Sequence, residues 1–130
     1  MSDPLLAEKL QDHDAIRGVD VVIHAGANTS FLPQKYSAVL DANLGGTGRL
    51  IEWSRTLRFL DTFAYIGTAT IAGCSERVTG RMVFEPESPD PSATHIVGYT
   101  ESKLLAELKL RAAFDSDQLL VIRPSIILGF

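Results

Sequence analysis

The chain has 130 residues, 45% of them apolar and 22% charged, which suits one globular domain and excludes a disordered polypeptide. A net charge of −4, with twelve Lys and Arg residues scattered along the chain, gives no basic footprint and excludes nucleic acid as a partner. No apolar run reaches the ~18 residues of a membrane span, no basic segment followed by an apolar core opens the chain, and the single cysteine, Cys74, has no internal disulfide partner, so a reducing, cytoplasmic setting is expected.

Residues 4–16 carry Leu5, Leu6, Leu10 and Ala15 among charges, a short amphipathic helix capped by Ser2 or Asp3 and stopped by Gly18. The β-branched run 19–24 follows and ends in Ala25, Gly26, Ala27 and Asn28; with so little alternation it predicts a strand covered on both faces. A long helix is expected over 34–57, its apolar positions including Tyr36, Val39, Leu40, Leu44, Ile51 and Trp53. Gly45, Gly46 and Gly48 each weaken such a helix by roughly 1 kcal/mol relative to Ala, a cost that points to close approach by another element.

Residues 63–66 predict a second buried strand, ending in Gly67, Thr68, Ala69 and Thr70. From 74 to 96 the chain holds Gly80, Pro86, Pro89 and Pro91 and reads as an irregular connection; loops beyond ~12–15 residues inside a compact domain tend to be functional. A third helix spans 98–114 with Leu104, Leu105, Leu108 and Ala112 as its stripe, and a third strand, 118–123, closes at Pro124. Strands alternating with helix-length crossovers imply an α/β domain with a parallel sheet and right-handed connections. Ligands on such sheets sit beyond the strands' C-terminal ends, which singles out residues 25–28, 68–70 and 124–129.

Tyr99 and Lys103 stand one helical turn apart on one face. A phenol titrates near ~10, and bringing it to ~7 takes about 4 kcal/mol, part of which a neighbouring ammonium supplies. Alone, this pairing is common on helix surfaces. Joined to Thr68, a hydroxyl at a strand end separated from Tyr99 by a long loop, it becomes a candidate proton-transfer set.

These residues carry a family resemblance. Asp-Val-Val-Ile-His-Ala-Gly-Ala over 20–27, Asn-Leu-Gly-Gly-Thr over 43–47, Ala-Tyr-Ile-Gly-Thr-Ala-Thr over 64–70, Gly-Tyr-Thr-Glu-Ser-Lys over 98–103 and Ile-Arg-Pro-Ser-Ile-Ile-Leu-Gly over 122–129 occur in order. In this the chain resembles the extended short-chain dehydrogenases/reductases, and within them the thioester-reductase and male-sterility fatty-acyl reductase branch. His24 to Asn28 followed by Phe31, and Ala72 and Gly73 followed by Thr79 and Gly80, point to that branch.

The resemblance implies a partial Rossmann-like, doubly wound parallel sheet supplying strands 4, 5 and 6 of the order 3-2-1-4-5-6, with residues 1–130 as part of an NAD(P)-binding domain. It implies Thr68, Tyr99 and Lys103 as catalytic residues: Tyr99 the general acid–base, Lys103 the holder of the nicotinamide ribose, Thr68 the group that positions the substrate oxygen. Ala25, Gly26 and Ala27 would run past the adenine-side ribose, Pro124 and Ser125 would flank the nicotinamide, and Asn43 would organise structure and water near the cofactor. NADP is favoured over NAD by the branch, and the implied substrate is a carbonyl compound or acyl thioester. A sugar-nucleotide epimerase or dehydratase of the same superfamily is the alternative enzyme.

Other features point elsewhere. No glycine fingerprint for the pyrophosphate occurs in the 130 residues. That departure suggests a piece of a longer reductase, or a non-catalytic fragment that associates with another copy through the edge of strand 19–24. Gly45 to Gly48 lacks the lysine of a phosphate loop and is assigned to helix packing. His13, His24 and His95 have no metal-ligand spacing, so no metal is expected. Glu101, Glu107, Asp41 and Glu52 are expected on solvated helix faces, and Arg123 is open to either a phosphate or a salt bridge.

Overall fold

The computed structural model describes residues 5, 8–9, 16, 18–74, 80, 82, 84 and 88–126. Of the helix expected over 4–16, only Leu5, Glu8, Lys9 and Ile16 fall among them. Strand β1 is Val21–His24, a 3-10 turn at Pro33–Lys35 leads into helix α1, Tyr36–Ser54, and strand β2 is Thr62–Ile66. A second 3-10 turn, Ala69–Ala72, follows; then come helix α2, Gly98–Arg111, and strand β3, Leu119–Ile122.

The strands form a parallel sheet in the order β1-β2-β3. Val22 pairs with Phe63 and Phe63 with Leu119, so one pleat aligns across all three strands. Side chains of that pleat, Val22, Phe63, Tyr65, Leu119 and Val121, pack beneath both helices with Ile51, Trp53, Ala106 and Leu110. Phe63 is fully buried and stacks on Phe114 with ring centroids 4.8 Å apart, a pairing worth about 0.5–1.5 kcal/mol beyond area burial.

The two helices lie side by side, and the sequence explains how closely. Helix α1 buries Val39, Asn43, Thr47 and Ile51, a stripe repeating every four residues whose middle is polar. Helix α2 answers with Gly98, Ser102 and Ala106. A Cβ at Gly98 would stand 3.1 Å from the Tyr36 carbonyl oxygen, so the first turn of α2 rests on the backbone of α1. Gly46 and Gly48 are buried in α1, Gly48 against the Lys109 side chain of α2, while Gly45 is half-buried and meets only Arg49 of its own helix. All three are helix residues and not a phosphate loop.

Coverage of the sheet differs from the expectation of strands buried on both faces. The burial pattern of β1 alternates, with Val21 47% and Ile23 68% exposed, and across the sheet Leu120 and Ile122 are 50% and 44% exposed. Both helices of the described residues sit on the opposite face. β1 is hydrogen-bonded to β2 alone, leaving its outer edge open among these residues.

Glu107 overturns another expectation. Instead of facing solvent it is wholly buried, accepting from Arg123 at 2.6 and 3.1 Å and from Arg111 at 2.8 Å. Arg123, at the end of β3, is thereby committed to a structural ion pair that ties the sheet to α2. Among the described residues no helix is long and apolar enough to cross a membrane, and no His, Cys, Asp and Glu cluster could hold a metal ion.

Candidate active site

A parallel sheet turns all its strand ends the same way, and here those ends open into a cleft of about 810 Å³. Ala25 and Ala27 line it from the end of β1, Ile66, Gly67 and Thr68 from β2, Tyr99 and Lys103 from α2, and Pro124 and Ser125 from the end of β3. Thr68 and Tyr99 therefore face one space. Gly26 and Asn43 are not on its wall. Thr70, within the stretch 68–70 singled out by the strand ends, lines it too, whereas His95 and Ile96 have no counterpart among the expected site residues.

Thr68 is in extended backbone at the cap of the 3-10 turn, where its hydroxyl accepts from the Thr70 N–H at 3.3 Å and pairs with the Thr70 hydroxyl at 3.0 Å. Gly67 N–H donates to Ile122 O, and Ala69 N–H to Pro124 O, so the loops after β2 and β3 are stitched together behind the cleft. Gly73 closes the turn at φ 73°, where a Cβ would lie 2.6 Å from Thr94 O. Only glycine accommodates both the conformation and that contact. The long connection is thus pinned to the mouth of the site.

Asn43 sits under the floor and works as a knot. Its amide nitrogen donates to Asn28 O at 3.1 Å and to Ser102 Oγ at 2.8 Å, while its oxygen accepts from Asn28 N at 2.7 Å. Ser102 in turn donates to Tyr99 O at 2.7 Å. The loop after β1, helix α1 and the backbone of Tyr99 are fixed to one another through one amide.

His24 extends this network. The Thr47 hydroxyl donates to Asn43 O at 2.8 Å, so the 3.0 Å contact with His24 must be donated by His24 Nε2. Nδ1 is then a bare, buried acceptor, without a partner among the described residues. Burial, then the positive charge of Lys103, pushes the His24 pKa down to about 4 from 6.5. A depressed histidine pKa means that the unfolded chain takes up the proton first. Stability is therefore complete above pH 6.5 and falls as the pH drops toward 4, by about 3 kcal/mol in all. Urea unfolding at pH 7 and at pH 4.5 should show this slope, and His24→Gln should remove it; equal slopes in both proteins would refute the assignment.

Lys103 is 4% exposed. Its ammonium donates to Ile66 O at 2.7 Å and lies 4.9 Å from the centre of the Tyr65 ring and 5.9 Å from that of Tyr99. Burial lowers its pKa. Tyr99 is half-buried, with Phe31 against its ring at 5.5 Å between centroids. Here the structure departs from the expectation that Lys103 pulls the phenol down. Burial raises the Tyr99 pKa; the Lys103 ammonium, 5.9 Å from the centre of the ring, donates to the Ile66 carbonyl. Tyr99 is a neutral phenol at neutral pH.

The chain matches, over residues 5–130, the family model described as male sterility protein, a family of NAD-binding domains. It belongs to that family. A hybrid PKS-NRPS synthetase (pydA) from an Acremonium species is 34% identical over 128 residues, 92% of this chain and 3% of that protein. Chloroplastic fatty acyl-CoA reductase 2 of Arabidopsis thaliana is 34% identical over 70 residues, 54% of this chain and 11% of that one. The domain thus spans a small part of both relatives.

Among solved structures, the terminal R domain of the myxalamid PKS-NRPS pathway superposes with TM-score 0.70 at 25% identity, over 85% of this chain and 27% of that one. RMD from Pseudomonas aeruginosa, complexed with NADPH, gives 0.66 at 26%, over 93% and 40%. UDP-glucuronic acid 4-epimerase from Bacillus cereus, complexed with NAD, gives 0.70 at 22%, over 95% and 35%, and speaks for the fold alone. The male sterility domain is a Rossmann-like NAD(P)-binding domain.

The cleft suits a nicotinamide nucleotide on its own chemistry. Small residues, Ala25, Ala27 and Gly67, leave the strand-end backbone open, and a buried ammonium and a phenol supply hydrogen-bond donors at its floor.

Proposed function

We propose that this domain is the catalytic half of an NAD(P)H-dependent reductase, acting on a carbonyl or acyl thioester within a protein that also supplies a glycine-rich turn for the pyrophosphate. The supporting observation is the convergence of Thr68, Tyr99 and Lys103 on one cleft at the ends of parallel strands. The cofactor, when bound, supplies hydride. NADP is the preferred form by resemblance to the reductase branch, and RMD, a structural neighbour, is complexed with NADPH.

Each residue then has a definite task. Lys103 would hold the nicotinamide ribose hydroxyls, Pro124 and Ser125 would flank the ring, and the backbone of residues 25–27 would pass the adenine-side ribose, with Gly26 behind the cleft wall. Thr68 would hydrogen-bond the substrate oxygen. Tyr99 would give its proton to that oxygen as carbon is reduced, and the raised phenol pKa keeps the proton available. The phenolate that remains would be stabilised by the adjacent ammonium until a proton returns from solvent. Asn43 would hold Tyr99's helix against the loop after β1.

Titrating NADPH fluorescence against the protein is the direct test. Saturable binding, weakened at least tenfold by Lys103→Ala, is the expected result. Absence of binding at millimolar cofactor in a protein that includes the glycine-rich turn would defeat the proposal and favour a non-catalytic role.

A further inference from the structure

We infer that Tyr65 is the positioning residue for Lys103, gripping the ammonium with its ring face and the helix backbone with its hydroxyl. Lys103 is a buried cation, yet among the described residues it has no carboxylate partner. The buried carboxylate nearby, Glu107, is bound to Arg111 and Arg123. What surrounds the ammonium is one carbonyl, Ile66 O at 2.7 Å, and two aromatic rings, Tyr65 at 4.9 Å and Tyr99 at 5.9 Å. Cations sit favourably within about 6 Å of a ring centroid, over its negative face, and more so when water is excluded.

The two rings are not equivalent. Tyr99 is half-buried at the cleft, on the wall where substrate would meet it. Tyr65 is 1% exposed, clamped in the sheet and flanked by His24 at 5.4 Å between centroids. Its hydroxyl donates to Lys103 O at 3.4 Å, so one side chain touches Lys103 at both backbone and tip. Burial, then Glu107 and Tyr99, raises the Tyr65 pKa, so it stays a neutral ring and never becomes a competing anion. Such a fixed platform would keep Lys103 charged and aimed into the cleft while Tyr99 remains free to engage a substrate. The catalytic meaning of this role rests on the reductase proposal; the grip itself does not.

The test replaces Tyr65 in the full chain with phenylalanine and then with mono-, di- and trifluorinated phenylalanines, which weaken the ring's negative face at nearly constant size. Lys103 is followed by carbon NMR of labelled lysine side chains, assigned with Lys103→Arg. Tyr65→Phe should leave the Lys103 pKa close to that of the parent. Trifluorination should lower it by about one unit, in steps, with the thermal midpoint steady across the series. A Lys103 pKa that stays flat through the series overturns the inference. NADPH affinity, measured in parallel, should fall up to about tenfold with the pKa. If the pKa steps appear and NADPH never binds, the grip stands and the reductase reading alone has failed.

Discussion

Tyr99→Phe should lower turnover by about two to four orders of magnitude while leaving NADPH affinity within about a factor of two. The phenylalanine ring keeps the edge contact with Phe31 and the flank of the Lys103 ammonium, so the cleft retains its shape. What is lost is one proton, and neither of the other two groups proposed for the chemistry replaces it. Thr68 is engaged with Thr70, and Lys103 is engaged with Ile66 O. Steady-state reduction of an acyl thioester or aldehyde, in a protein that includes the glycine-rich turn, reads the rate, and fluorescence titration reads the affinity. Turnover within about tenfold of the parent would remove Tyr99 from the chemistry.

Glu107→Ala should cost about 3–5 kcal/mol of stability, because removing one partner of a buried pair strands the other. Arg123 bears the larger share: its side chain is 11% exposed and both of its bonds to Glu107 are lost together. Arg111 is 43% exposed and recovers its hydration, so its share is small. Chemical denaturation of the two proteins measures the difference. Adding Arg123→Leu to Glu107→Ala should restore part of the loss, since the buried charge is then gone from both sides. A loss below about 1 kcal/mol for the single variant would show that Arg123 finds another arrangement.

The alternation of helix and strand was legible because the periodicities of 34–57, 98–114 and the β-branched runs are strong and local. The observed elements begin and end within a few residues of those limits, with α1 stopping at Ser54 and α2 at Arg111. That Thr68 and Tyr99 share a cleft follows from the geometry of parallel strands, which sends every strand end to one rim. Glu107 could not be placed from sequence because its counter-charge, Arg123, lies on a different element, and pairing across elements leaves no local mark. Tyr65 escaped notice for a similar reason: it falls on the buried pleat with Phe63 and reads as core, though its ring also faces Lys103. The sign of the Tyr99 shift comes from burial of the phenol, which helical spacing alone leaves open.

Among the described residues, helices clad the sheet that carries the site on one side only. Val21, Ile23, Leu120 and Ile122 form an oily panel on the other, with the free rim of β1 alongside it. Handled as an isolated polypeptide, these 130 residues should take up an environment-sensitive dye such as ANS while still natively folded, and mild detergent should sharpen their solution behaviour. Purification conditions, not only cofactor, will govern whether the cleft can be assayed at all.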